Sequence, residues 1–302
     1  MNPIQTVARL LFVCAPTFAL VVSSSAEARE EVFGSRGLAM GQALRAVSQS
    51  NDGFYFNPAA LVLSPRASLD LVYQFNLDAK LNAGNVSLLD NDEKPLPGGF
   101  AYTFVDSRFF ADTLDENGSP LRVERRRTGH DLRFGLGYPI MPTLSAGLTV
   151  RYLKYDIEGT KGVNAATGDV GILFHPAGGF ALAIVGHNVI DIGSGEAPIK
   201  LGVGAGYTFE RLLTLSFDWV VDFKSARDPA HEFHVGLELV VASLIAFRGG
   251  FFDDQVFGQR HFSLGAAYVG PPDSRFGFAF ALQQEIGHAA NRSINFLIRI
   301  LP

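Results

Sequence analysis

The segment LLTLSFDWVVDFK (212–224) sorts its side chains by parity. Leu213, Leu215, Phe217, Trp219, Val221 and Phe223 fall on one face, and Thr214, Ser216, Asp218, Asp222 and Lys224 on the other. Alternate residues of a β-strand point to opposite faces, so this is a strand with one apolar and one polar side. The same sorting recurs in TLSAGLTVRY (143–152) and RFGFAFALQ (275–283), and in the last segment, where Ile294, Phe296, Ile298 and Ile300 alternate with Ser293, Asn295 and Arg299. Soluble sandwiches alternate too, but three further features point to a membrane barrel. The strands run to about ten residues or more, the length a tilted transmembrane strand needs. Their polar face is rich in glycine and in charges of both signs, as suits a filled or wet interior. Short connections (FER 209–211, VAS 241–243, GPPD 270–273) alternate with longer ones such as EGTKGVNAATG (158–168) and FKSARDPAHE (223–232). An open edge would leave unpaired amides in hydrocarbon, so such a sheet must close.

Composition agrees. Only 18% of the 302 residues are charged, against roughly a quarter in an average soluble domain, and the chain holds 32 Gly and 26 Phe. No apolar run in its body reaches the roughly 18–20 residues of a membrane helix. A net charge of −5 offers no basic footprint for nucleic acid. At the N-terminus, Arg9, the apolar run LLFVCAPTFALVV (10–22) and Ala26-Glu27-Ala28 read as a signal peptide spanning 1–28, cleaved before Arg29. Cys14 is the only cysteine and is removed with it, so the exported chain has no disulfide to lean on.

Thirteen strands are plain, near 66–77, 98–106, 130–138, 143–156, 166–175, 179–190, 198–209, 212–224, 231–241, 243–252, 260–269, 274–285 and 291–301. If both termini face the periplasm the count is even. The missing strand is placed at LNAGNVSLLD (81–90), which makes 107–129 the longest outer loop. The fold class expected is all-β, a single-chain antiparallel transmembrane barrel of fourteen strands over 62–302.

Residues 29–61 break the pattern. Helix formers at 36–48, with Leu38, Leu44 and Val47 at loose helical spacing, give way to a turn-rich stretch and then to GFYFNPAAL (53–61). Fourteen strands enclose more space than wall side chains fill, so this segment is expected to fold inward as a partly helical plug or hatch. Pro58 fixes an extended path, Asn57 satisfies nearby backbone groups, and Phe54, Tyr55 and Phe56 pack the plug to the wall.

The stretch GSRGLAMGQALRAVSQSNDGFYFNPAAL resembles the N-terminal signature of the FadL and PorV outer-membrane proteins. Gly37, Ala39, Gly41 and Ala43 take its small positions, and Asn57, Pro58, Ala59 and Leu61 its second motif. HEFHVGLELVVASLIAFRGGF (231–251) is similar to a strand pair of that family through His234, Gly236, Glu238, Arg248 and Gly250. The resemblance implies a fourteen-stranded barrel with a hatch in the outer membrane of a Gram-negative cell. It implies one of two functions. FadL members take up hydrophobic compounds through an apolar groove, leaving by a hatch movement or a wall gap. PorV members are structural or secretion-accessory barrels without small-molecule cargo. The outer loops here are shorter than a FadL-like groove needs, and LIRILP lacks a terminal aromatic.

Catalysis, metals and cofactors find little support. His261 and Ser263 share a strand face, but it is the inward one, and no orienting residue accompanies them. His231 and His234 fall on opposite faces of a strand and cannot share a metal. GVGAG (202–206) is strand, not a phosphate loop, since no helix follows. The inward face carries Asp131, Arg133, Arg151, Lys200, Asp218, Asp222, Glu238, Arg248, Arg275 and Arg299. Facing lipid, a lysine or arginine would cost about 2–4 kcal/mol at the midplane. Their mixed signs predict ion pairs that hold the hatch. The basic run RVERRRTG (122–129) is expected to meet lipopolysaccharide phosphates. The expected partners are therefore outer-membrane lipid and lipopolysaccharide, with a hydrophobic ligand or, on the alternative reading, a secretion-system partner.

Overall fold

The computed structural model describes residues 31–64, 67–78, 80–91, 96–114, 119–271 and 274–301. The expected signal peptide lies outside the described residues.

Fourteen antiparallel strands close into one barrel. They are β1 Ser68–Asn76, β2 Leu81–Asp90, β3 Gly98–Leu114, β4 Pro120–Met141, β5 Leu144–Ile157, β6 Val163–Phe174 and β7 Phe180–His187, then β8 Lys200–Phe209, β9 Leu213–Asp222, β10 Ala230–Val241, β11 Ile245–Asp254, β12 Gln259–Tyr268, β13 Phe276–Glu285 and β14 Arg292–Ile300. Each strand pairs with its sequence neighbours, and β1 pairs with β14 from Leu69↔Ile300 to Asn76↔Ser293. The strand that parity alone demanded, at 81–90, is β2. Alternation sets the register: Leu215, Phe217 and Trp219 are exposed outward while Ser216, Asp218 and Asp222 are buried inward. Two of the short turns hold two consecutive non-glycine residues at positive φ, Glu210-Arg211 (46° and 59°) and Ala242-Ser243 (51° and 55°). That geometry matches the right-handed twist of the strands it joins.

Two expectations for the wall need correction. There is no long loop at 107–129. β3 and β4 run on together, pairing Arg108–Leu114 with Pro120–Arg126, past the points where β2 and β5 stop pairing with them. The pair forms a ribbon beyond the rim. Outside the apolar belt nothing enforces alternation, so RVERRRTG hides a strand held by its backbone ladder and by Arg126 pairing with Asp106 across it. Arg275 does not face the interior. It is exposed in the turn before β13, because the strand, and with it the alternation, starts at Phe276.

Residues 31–64 lie inside the barrel. A short helix, α1 (Ser35–Ala39), is followed by 3₁₀ turns at Ser50–Phe54 and Pro58–Leu63. The helix expected over 36–48 is cut to α1, because Gly41 (φ 59°) and Gln42 (φ 63°) adopt the left-handed conformation that ends it. Leu38, Met40, Leu44, Phe54 and Leu61 form the core of this segment, together with Ala183, Leu173, Ala101 and Ala281 of the wall. Wall glycines give it room. A Cβ added at Gly147 would lie 2.2 Å from the Pro58 carbonyl carbon, and one at Gly171 2.1 Å from Asn57 Oδ1.

Gly147→Val should therefore lift residues 57–59 from the wall, at a cost of about 1–3 kcal/mol for overpacking. Proteinase K should then cut within 45–60 while the barrel keeps its heat-resistant β structure. Unchanged protection would show that the contact is slack.

Candidate functional site

The inner segment is tied to the wall by charge. Arg36 reaches from α1 to Glu238 on β10, with Nε–Oε2 at 3.1 Å and Nη2–Oε1 at 3.0 Å, and donates to the Val47 carbonyl at 2.8 Å. Arg248 on β11 holds the same carboxylate at 2.6 Å. Arg45 meets Asp218 on β9 with its side chain (3.1 Å) and its backbone N–H (2.9 Å). Its Nε donates to His187 at 3.2 Å. Asp52 sits 3.7 Å from Arg36, and burial pushes its carboxyl above the usual range although Arg36 opposes this. These are buried pairs, costly to break from one side.

The motif residues fit between these anchors. The Asn57 side chain accepts from Ala59 N–H (3.0 Å) and donates to the Arg45 carbonyl (2.9 Å), so it caps the turn at Pro58–Leu63 and ties it back to the chain at Arg45, ahead of the Ser50–Phe54 turn. Pro58 opens that turn, and Ser145 on β5 donates to the Ala59 carbonyl at 2.9 Å. Phe54 is fully buried beneath Gly135. Phe56 packs edge-on against Phe33 at 5.1 Å and closes over Gly37. The Tyr55 hydroxyl accepts from Asn85 at 2.6 Å, with Arg133 4.7 Å from its ring centre, and burial pushes its phenol up to about 12. Gly41 presses on the β11 backbone, where a Cβ would lie 2.7 Å from Phe251 N. The His234 ring donates from Nδ1 to the Gly41 carbonyl at 2.9 Å. Ser263, once weighed as a nucleophile, is held instead between Gly41 N–H and the Ala39 carbonyl, both at 3.1 Å. The glycines of 202–206 clear space for Arg45, Ala46 and Val47.

The remaining inward charges pair mostly within the wall. Arg299 pairs with Asp70 (2.6 Å) across the β14–β1 seam. Asp131 takes both Arg151 (2.6 Å) and Arg133 (3.1 Å), and Glu31 lies 3.4 Å from Arg151. Asp222 caps the turn after β9 by accepting from the N–H groups of Lys224 and Ser225, both at 2.8 Å, while Lys200 pairs with Glu232 at 2.7 Å. The inward list omitted Arg36, Arg45 and Asp70. The signal was available for the arginines: two cations in a segment bound for the interior each require a wall carboxylate.

Beyond the segment, a cavity runs to the rim farthest from the C-terminus, where Asp78, Ser225, Phe257 and Asn291 surround it. It is not a continuous apolar groove. Val32, Phe33, Leu38, Phe56 and Phe252 supply apolar surface, and the Arg133, Arg151 and Asp131 cluster lies on another wall. The loop between β7 and β8 folds inward at Asn188 (φ 51°), which donates its N–H to Asp169 (2.8 Å) and accepts from Arg151 (3.0 Å). Ala197 of that loop packs on Leu153 and Tyr155 of β5. The β6–β7 ladder is in consequence the shortest of the barrel, limited to Val170–Phe174 against Leu182–Gly186.

Similar barrels are known in solved structures. A FadL homologue of Pseudomonas aeruginosa matches with a TM-score of 0.64 at 11% identity, over 89% of this chain and 97% of that one. The fold is that of the FadL-type barrels. The Ralstonia pickettii toluene transporter TbuX gives 0.63 at 14% identity, over 89% and 97%. CymD, a monoaromatic hydrocarbon channel, gives 0.62 at 13%, over 88% and 96%. No family model matches the sequence, and comparison with curated proteins finds no match. The FadL-type fold thus rests on shape, carried by a sequence only 11–14% identical to those structures.

Two substitutions separate the anchors from the barrel. Glu238→Gln leaves Arg36 and Arg248 sharing one neutral amide and should destabilise the seated segment by about 3–5 kcal/mol. Amide exchange at 35–47 should rise while that of β1–β14 holds; equal loss in both would make Glu238 a wall residue only. Asn57→Ala removes a cap worth about 1 kcal/mol, and Pro58→Ala frees the turn it opens. Either should expose 45–60 to protease before the barrel melts, and simultaneous loss would argue against a separable segment.

Proposed function

We propose that this barrel sits in the outer membrane of a Gram-negative cell, exported by residues 1–28, and passively conducts a small neutral hydrophobic compound. The observation that carries this reading is a lumen open at one rim and closed below by residues 31–64, which act as the hatch. The apolar belt supports the membrane setting. Leu71, Tyr73, Leu148, Val150, Ile184, Phe217, Phe278 and Phe296 are exposed on strands all around the wall, a surface suited to hydrocarbon and aggregation-prone in water. Arg126 on the ribbon is exposed but held by Asp106 at 2.8 and 2.9 Å, so a lipopolysaccharide phosphate would have to compete with that carboxylate.

The charge of the lining narrows the cargo. Among the described residues, five arginines and lysines line the cavity against eight carboxylates. Those cations are engaged, Arg133 and Arg151 by Asp131, Lys200 by Glu232, Arg127 by Glu196 and Arg45 by Asp218. An anionic cargo such as a fatty-acid carboxylate would enter an acidic mouth with no free counter-charge. A neutral compound meets no such barrier. The compound leaves past the inner segment or through the short β6–β7 seam.

Uptake of neutral hydrophobic fluorophores into liposomes tests this. Liposomes bearing the protein should fill faster than empty ones, and deletion of 33–56 should change the rate and abolish saturation. Identical rates for protein, deletion and empty liposomes would remove the transport reading, and are what a secretion-accessory barrel without cargo would give.

A further inference from the structure

One side of the cavity carries polar atoms that the fold leaves without partners. Three rings stand in a row on adjacent strands, His234 on β10, Phe252 on β11 and His261 on β12, each directly opposite the next in register. The rings are nearly parallel, with centroids 5.3 Å apart (13°) and 4.6 Å apart (5°). That spacing matches the strand separation of about 4.8 Å, so the rings stack along the hydrogen-bond direction and turn their edges to the lumen. Aromatic edges carry the positive part of the ring quadrupole and attract the face of another ring. Below them the inner segment supplies Leu38 and Phe33. Phe33 is held there by its carbonyl, which accepts from Asn295 at 3.0 Å.

Above this apolar floor sit His261 and Gln283, each more than nine-tenths buried and each lining the cavity. His261 Nδ1 and Gln283 Nε2 are buried without a hydrogen-bond partner. Register makes the two residues diagonal neighbours, since His261 faces Glu285 and Gln283 faces Ser263. Buried polar atoms are almost always paired, and an orphan costs free energy unless something else completes it. Gln283 Nε2 is a donor, and His261 Nδ1 accepts when the proton sits on Nε2. One hydroxyl group serves both, accepting from the amide and donating to the imidazole.

We infer that this corner is a binding subsite for a small neutral aromatic alcohol, a phenol, its ring lying against the edges of Phe252 and His261 over Phe33 and its hydroxyl joining Gln283 to His261. The inference deepens the transport reading, resting on it only for the direction of use. A plain hydrocarbon fills the same floor but leaves both polar atoms unpaired. A benzoate is opposed by the acidic lining.

The test uses the full mature chain in nanodiscs, with empty nanodiscs as the partition control and fluorine NMR as readout. The probes are 4-fluorophenol, 4-fluoroanisole, fluorobenzene and 4-fluorobenzoate. The expected result is saturable binding of 4-fluorophenol, at least about tenfold tighter than fluorobenzene, two neutral hydrogen bonds being worth that much. 4-Fluoroanisole, which accepts but cannot donate, should fall between them, and 4-fluorobenzoate should not compete. His261→Phe keeps the ring row and Gln283→Leu keeps the volume, and each should erase the preference for the phenol while leaving fluorobenzene unchanged. Equal affinity of the wild type for 4-fluorophenol and fluorobenzene overturns the subsite, as does a preference that survives both substitutions. Should either variant fail to give a heat-resistant barrel, the order of the first three probes on the wild type decides alone. Liposome uptake separates this from transport: uptake without phenol preference leaves conduction standing and the subsite refuted, and phenol preference without uptake does the reverse.

Discussion

Every strand of the barrel gives its amides to two neighbours, and the pairing of β1 with β14 is what makes that possible. In a hydrocarbon setting an unpaired edge would cost several kcal/mol per group, so closure is the condition on which everything else rests. Closure with fourteen strands fixes a width, and that width exceeds what wall side chains fill. Alternation then sends polar residues into the enclosed space, where each buried charge needs a partner. The wall supplies some partners from within, as Asp131 does for Arg133 and Arg151. Others come from the inner segment, as Arg36 and Arg45 show. The segment is thus both filler and counter-charge, which explains why its contacts combine glycine-sized clearances with ion pairs.

The strands were legible because burial imposes a period of two wherever one face is apolar, and parity recovered β2 from a weak pattern. The same logic fails where burial stops. The ribbon of β3 and β4 lies beyond the belt, so Arg125 and Arg126 read as loop. Arg275 read as strand because its neighbours alternate. The motif GFYFNPAAL pointed to an inward segment, and Asn57 bridges two turns there. The sequence could not disclose which wall residue each segment residue meets. Arg36 and Glu238 are 202 positions apart, and their meeting depends on how far α1 runs before Gly41 turns the chain. The cavity was less legible still. Its character depends on which inward residues lie above the segment rather than beside it, a matter of height that no periodicity carries.

The lining also distinguishes this barrel from a simple apolar conduit. Charged clusters occupy the β4–β5 side and the mouth, while the β11–β13 side offers rings and amides bordered by Asp254. Two faces of unlike chemistry across one lumen select by orientation as well as by size. A compound with a polar end and an apolar body has one favourable way to lie there, whereas a featureless hydrocarbon has none.

Asn295 links the seam to the inner segment. It accepts from Ser35, donates to the Phe33 carbonyl of the inner segment, and donates to Gln74 of β1 while itself belonging to β14. The closing seam and the seated segment therefore share one side chain. Two of its three protein partners belong to the segment. Seating the segment therefore adds order at the closure, while an emptied lumen would hand those two contacts to water.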